Sequence, residues 1–234
     1  MEQNSRVGSF SNSEIWRLMP GKRGEMLKTG YSYIEEKRFE RKLGRALSSE
    51  QNSKSTGWGT FVEKRAFDLL PLHYKLRSID RLVHPDIPYW TAAIDIIGED
   101  FAGDVKCPYT LLSFCQQVEA MDKGIETYKE LKPEYYWQCV AHSILAAKKF
   151  AEIIIYVPYQ TELDEIREMA NNVDGAQQNK VAFINWAEDD QLPYLIEGGY
   201  YKNLNILRWE VSQEDKKLLT SRVIEAGKLL IKPL

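Results

Sequence analysis

The sequence predicts an α/β (α+β) fold with a central mixed β-sheet flanked by helices, and three observations carry that expectation. Residues 1–70 read as helical segments, residues 71–107 as short β-rich runs separated by turn residues, and residues 110–147 as helices that lead into an apolar β-branched run at 152–157. A hairpin followed by a helical crossover to another strand makes a mixed sheet with helices against its faces.

Each element has its own signal. Ser13 predicts a cap for a short helix over 14–19, which Pro20 and Gly21 end, and Ser32 with Glu35 has capping-box spacing at the start of a helix over 32–47. The polar stretch 48–55 reads as a loop, after which Trp58, Phe61, Val62, Ala66 and Leu69 recur at helical spacing. Beyond Pro71, residues 73–77, 81–84, 89–97 and 101–107 read as strands, the last two joined through Gly98-Glu99-Asp100 as an antiparallel hairpin. Helices are expected over 110–121, 124–131 and, with proline at its first position, 133–147. Residues 152–157 read as a strand and 162–170 as an acidic helix. A loop, the stretch 181–186, an aromatic Gly-rich hairpin near Gly198-Gly199, a strand over 204–211 and a helix to Leu230 complete the chain.

With 234 residues and 44% apolar side chains, one domain is expected over 1–234, comprising a helical part (1–70), a catalytic core (71–158) and a C-terminal embellishment (159–234). No run of about 18 apolar residues occurs and the N-terminus is polar, so a soluble cytoplasmic protein without membrane contact is expected. Cys107, Cys115 and Cys139 have no CxxC spacing, which argues against a disulfide framework or a zinc site. Net charge is −3, but residues 1–65 hold 13 Lys/Arg against 8 Asp/Glu, whereas 66–234 hold 18 against 26. A basic N-terminal segment can meet phosphates or simply form a solvated helical face.

The chemistry concentrates on the hairpin. In a strand, residues i and i+2 share a face, so Asp104 and Lys106 point together while Val105 points into the core. Asp95 faces them across the hairpin, and two neighbouring carboxylates call for a neutralising cation. Mg²⁺ suits such a site, because it takes a few carboxylate oxygens, here with the Val105 backbone carbonyl, and completes its shell with water and substrate phosphate. Asp-x-Lys alone is also what a surface ion pair looks like. Glu63 on the preceding helix offers a further acid, and on the helix from Pro133 the spacing places Tyr135, Gln138 and His142 on one side. Gln138 can bind the attacking water or a phosphate oxygen; His142 by itself reads as part of an exposed polar face. Pro85-Asp86 is a weaker alternative ligand, lying 18 residues before Asp104.

In Arg6-Val7-Gly8, Ser11-Asn12-Ser13-Glu14, Gly57-Trp58-Gly59 with Glu63, Asp95, Asp104-Val105-Lys106-Cys107-Pro108 and Tyr135-Tyr136-Trp137-Gln138, the sequence resembles the lambda exonuclease family, including the YqaJ-type viral recombinases. These are PD-(D/E)XK enzymes of phage recombination. The resemblance implies a restriction-endonuclease-like core, Asp95 and Asp104 as metal ligands, Glu63 as a supporting acid, Lys106 as the group that positions or activates water, and Gln138 beside the centre. It implies Arg6 and Ser13 as contacts to the 5′-phosphate of a DNA end. The implied reaction is 5′ to 3′ hydrolysis of one strand of duplex DNA, leaving a 3′ overhang, with two Mg²⁺ about 4 Å apart and Mn²⁺ able to substitute. A ring-shaped homotrimer and a single-strand annealing partner are also implied. The chain departs from the family in reading Ile94-Asp95-Ile96 rather than Pro-Asp-Gly, Asp104 rather than Glu, and Thr56 where an apolar wedge is expected. The alternatives are a PD-(D/E)XK endonuclease and a non-catalytic DNA-binding subunit on a degenerate nuclease fold. Trp186, Tyr194, Tyr200 and Tyr201 read as core or subunit contacts.

Overall fold

The computed structural model describes residues 6–21, 23–47, 53–74, 81–175 and 178–231. Strand β1 (Phe10–Ser11) runs straight into a 3-10 helix, Asn12–Leu18, two residues before the start of the short helix expected over 14–19. Ser11 takes the N-cap position, so Ser13 lies inside the turn. Met19 is extended, as a residue before proline prefers to be, and the helix stops there.

Helix α1 (Lys28–Leu43) starts and ends four residues earlier than expected. Gly44, at φ 65°, adopts the left-handed conformation that closes a helix, a stop signal the periodic reading ran through. Ser32 is therefore interior, and its expected capping box with Glu35 has no helix end to serve. Helix α2 (Lys54–Leu69) is capped by Ser53, whose Oγ accepts the Thr56 N–H at 3.1 Å. The expected loop residues 48–52 lie outside the described residues, as do 75–77 of the expected strand 73–77. Leu72–Tyr74, which overlaps the start of that expectation, is a 3-10 turn.

The run expected as one strand over 89–97 is divided between two sheets. Strands β2 (Leu82–His84) and β3 (Ile87–Ala92) join β1 in the order β1-β3-β2, whereas β4 (Ile96–Ile97) and β5 (Phe101–Lys106) open a second sheet, β4-β5-β6-β7. Residues 93–95 cross between them. A β-rich composition looks the same on either side of such a crossing, so sequence pattern has no means to mark it. The hairpin itself forms as expected, antiparallel, with Ile96 opposite Gly103 and Ile97 opposite Ala102.

Helices α3 (Leu111–Asp122), α4 (Ile125–Leu131) and α5 (Pro133–Leu145) lead to β6 (Phe150–Tyr156), which lies parallel to β5 with Asp104 beside Ile153. Helices α6 (Leu163–Asn171) and α7 (Gln178–Trp186) follow, and β7 (Leu204–Glu210) returns antiparallel to β6 before α8 (Gln213–Leu230). The expected hairpin at Gly198-Gly199 is a loop of turns and bends with no strand in it. Trp186 and Tyr200 are 85% and 88% exposed, which excludes the core half of the expectation that they are core or subunit contacts. Tyr201 instead packs edge-on against Phe114.

A core covers each face of the second sheet. Ile153 and Ile155 pack beneath α5, α8, α1 and the 3-10 helix, while Val105, Ile154 and Tyr156 meet α2, α6 and α7 on the other side. Asp104 and Lys106 alternate with Val105 and therefore face α5. Among the described residues no helix is long and apolar enough to cross a membrane.

Candidate active site

Asp104 lies in the middle of β5 and is 2% exposed. Its Oδ1 accepts from Gln138 Nε2 at 2.7 Å and lies 3.4 Å from His142 Nε2, both on α5. Its Oδ2 forms an ion pair with Lys106 Nζ at 2.5 Å. Lys106 also stands over the Tyr135 ring, 5.1 Å from its centroid.

Asp95 sits just before β4, and its Oδ2 accepts the Val105 N–H at 3.0 Å. The β4 ladder stops at Ile96 opposite Gly103, so this carboxylate takes over the edge of β5 where β4 ends. In a strand the N–H and C=O of one residue lie on the same edge, so the Val105 carbonyl faces the side on which Asp95 stands.

The two acids are driven apart. Burial, and next the charge of Asp104, push the Asp95 carboxyl up to about 6. Burial would raise Asp104 as well, but Lys106 and then His142 hold it down at about 2. Burial opposes the charge on Lys106, yet the two carboxylates raise its ammonium above the ordinary lysine value. One ammonium thus serves two close carboxylates, leaving an excess of negative charge.

Glu63 opens, together with Val105, Lys106 and Tyr135, into a cavity of about 520 Å³ that also receives the first turns of α2 and α3. Thr56 lines it on the α2 side. The structure therefore brings Asp95, Asp104, Lys106 and Gln138 into one cluster and turns Glu63 toward the cavity beside it. Arg6 and Ser13 are exposed and do not line that cavity. Ser13 Oγ lies 3.2 Å from Ser11 Oγ, and Ser11 pairs with Thr91 in the first sheet. Arg6 approaches Arg81, which donates to Thr91 at 3.4 Å and is held below the usual arginine value first by burial and then by Arg6. Asp86 is on the β2–β3 turn, where its N–H donates to His84 Nδ1 at 3.1 Å, apart from the cluster.

His142 corrects the expectation of an exposed polar face, because it is 0% exposed and touches Asp104. Its signal was the four-residue spacing from Gln138, which places both on one helix face. Behind His142 stand Asn12, which lies in the Ser11-Asn12-Ser13-Glu14 block but had no role of its own there, and Trp90, which had no signal. The three cysteines are free thiols.

Among the described residues, no group of three or more His, Cys, Asp or Glu stands in metal-binding geometry. The donor set nevertheless fits Mg²⁺, which needs few protein oxygens: two carboxylates that share one ammonium and so carry excess negative charge, and the Val105 carbonyl on the adjoining edge.

The chain thus has a mixed sheet flanked by helices, with Asp95, Asp104 and Lys106 at its hairpin. Solved structures share the whole architecture. The crystal structure of LHK-Exo in complex with dAMP superposes with a TM-score of 0.63 at 15% identity, covering 97% of this chain and 91% of that one. Another crystal structure of LHK-Exo, an alkaline exonuclease from Laribacter hongkongensis, gives 0.60 at 14% identity, covering 97% and 92%. A phage-related exonuclease from Haemophilus somnus 129PT gives 0.59 at 15%, covering 95% and 93%. No family model and no curated protein matches the sequence. The likeness to the lambda exonuclease group is thus one of fold.

Proposed function

We propose that this chain is a divalent-metal-dependent deoxyribonuclease that acts as an exonuclease on the ends of duplex DNA. The observation that carries the reading is the buried Asp104 and half-buried Asp95 with Lys106 between strand and helix, on a fold shared with exonucleases. Two carboxylates with one ammonium are poorly balanced for stability and well matched to a divalent cation and a phosphodiester.

Asp95, Asp104 and the Val105 carbonyl would hold Mg²⁺, with Glu63 as a supporting acid and Mn²⁺ as a substitute. When bound, the metal polarises the phosphate and makes water a nucleophile at neutral pH. Lys106 orients the attacking water and supports the charge that develops on the phosphate. Gln138 holds Asp104 Oδ1, so that Oδ2 stays on the Lys106 side. Arg6 and Ser13 would receive the 5′-phosphate of a DNA end, which makes the polarity 5′ to 3′ and leaves a 3′ overhang for recombination with a single-strand annealing partner. A ring-shaped trimer would keep the chain on its duplex, and light scattering of the purified protein measures that state.

Linear duplexes carrying one 5′-phosphorylated and one blocked end, digested with and without Mg²⁺, test metal need and polarity together. Shortening from the phosphorylated 5′ end only with metal is expected. Efficient cutting of a covalently closed circle would replace the exonuclease reading by an endonuclease one.

A further inference from the structure

Behind Asp104 four side chains from four elements form a chain with a single direction. Trp90 Nε1, on β3, donates to Asn12 Oδ1 at 2.7 Å. Asn12 Nδ2, on the 3-10 helix, lies 3.0 Å from His142 Nδ1, and His142 Nε2 lies 3.4 Å from Asp104 Oδ1. Trp90 and His142 are 0% exposed and Asn12 is 2% exposed, so solvent offers these groups no other partner.

An indole N–H can only donate. The Asn12 oxygen must therefore face Trp90, and its amide nitrogen must face the imidazole. That nitrogen is also only a donor, so His142 Nδ1 accepts, and the neutral ring carries its hydrogen on Nε2. Nε2–H is thus aimed at Asp104 Oδ1, the oxygen that Gln138 also binds. The 3.4 Å approach of Gln138 Nε2 to His142 Nε2 is that of two donors sharing one acceptor.

We infer that Asn12, oriented by Trp90, is a positioning residue for Asp104: it locks His142 in the Nε2–H tautomer, so that both α5 donors are gathered on Oδ1 while Oδ2 stays on the Lys106 side. The catalytic consequence rests on the nuclease reading; the tautomer does not. A hydrogen bond to the ring's far nitrogen decides what the near nitrogen presents to a ligand, and such support sets metal affinity by about 10- to 100-fold.

The test is nitrogen NMR of the full chain labelled with ¹⁵N-histidine and free of metal. The chain has three histidines, and the signals absent from His142→Gln identify those of His142. A protonated Nε2 and an unprotonated Nδ1 are expected. In Trp90→Phe, which keeps an apolar ring and drops the N–H, the Asn12 amide is free to turn over and a mixture of tautomers is expected. An Nδ1–H tautomer in the unsubstituted chain, or no change in a folded Trp90→Phe, overturns the inference.

Mn²⁺ binding, followed by electron paramagnetic resonance without DNA, gives the second readout. His142→Gln can still place an N–H near the Nε2 position, whereas His142→Asn is too short. His142→Asn should weaken Mn²⁺ by about 10- to 100-fold, and His142→Gln should recover most of that loss. Equal loss in two folded variants, or no loss in either, would make His142 a packing residue only. With DNA, His142→Asn should lower kcat and leave KM unchanged. Absence of hydrolysis by the unsubstituted chain would sink the nuclease reading while the tautomer and Mn²⁺ results still decide the inference.

Discussion

Helix α5 reaches two carboxylates that are built in opposite ways. On one side Tyr136 OH donates to Asp215 Oδ2 at 2.8 Å, Ser212 Oγ donates to the same oxygen at 2.8 Å, and Lys129 Nζ donates to Oδ1 at 3.1 Å. Asp215 closes the first turn of α8, where a negative charge also suits the helix N-terminus. Every lone pair that matters has a donor, and its carboxyl sits below the ordinary aspartate value because Tyr136, Ser212 and Lys129 outweigh burial. On the other side Gln138 and His142 satisfy only Oδ1 of Asp104, while Oδ2 shares one ammonium with a second carboxylate. The first arrangement is complete as it stands. The second keeps an excess of negative charge, which on the proposed function a cation and a phosphate would balance.

Substitution at the incomplete cluster should cost the most activity. Asp104→Ala or Lys106→Ala should lower DNA hydrolysis on the order of 10³-fold with the circular dichroism spectrum retained, since several kcal/mol of charge stabilisation are removed. Full activity in either variant would leave the cluster a mere ion pair. Gln138→Leu should lower hydrolysis by about 10- to 100-fold, because Asp104 keeps its charge and loses one orienting bond.

At the complete cluster the effect moves to stability. Asp215→Asn should cost about 2 kcal/mol in urea unfolding and leave hydrolysis unchanged at low temperature, since it strips the charge from three donors. Asp215 is held below its unfolded value, so it stabilises the fold above about pH 4 and loses that contribution as pH falls through its folded value. The gap between Asp215→Asn and the unsubstituted chain should therefore close in acid.

The smallest expected effect has the opposite sign. Asp95 is raised to about 6, so the metal-free fold resists its ionisation. That penalty is absent below the unfolded value of about 4 and fully present above the folded one. Asp95→Asn should then stabilise the metal-free protein by about 1 kcal/mol at pH 8, show no gain at pH 4, and bind Mg²⁺ more weakly. A destabilised Asp95→Asn at pH 8 would show that its bond to Val105 outweighs the repulsion from Asp104.

Much of this was legible from local rules. The i, i+2 alternation put Asp104 and Lys106 on one face, the three-residue turn brought Asp95 across, and the four-residue helix period aligned Gln138 with His142. Thr110 and Pro133 mark helix starts that sequence reading placed closely, because such signals act over a single turn. The errors were of range. Residues 89–97 have one β-rich composition and two sheets, and His142 has a polar side chain and a buried place, since neither the crossing at 93–95 nor the packing of the 3-10 helix over α5 leaves a mark in nearby residues.

By itself, then, the sequence determined the hairpin and its three charged residues, for their relation is set within a few bonds and one turn. Only the tertiary structure decided that Asn12, Trp90 and His142 line up behind Asp104. Asn12 and His142 are 130 residues apart, and their 3.0 Å contact exists because three separately formed elements pack into one core with no water to relieve an unmatched donor.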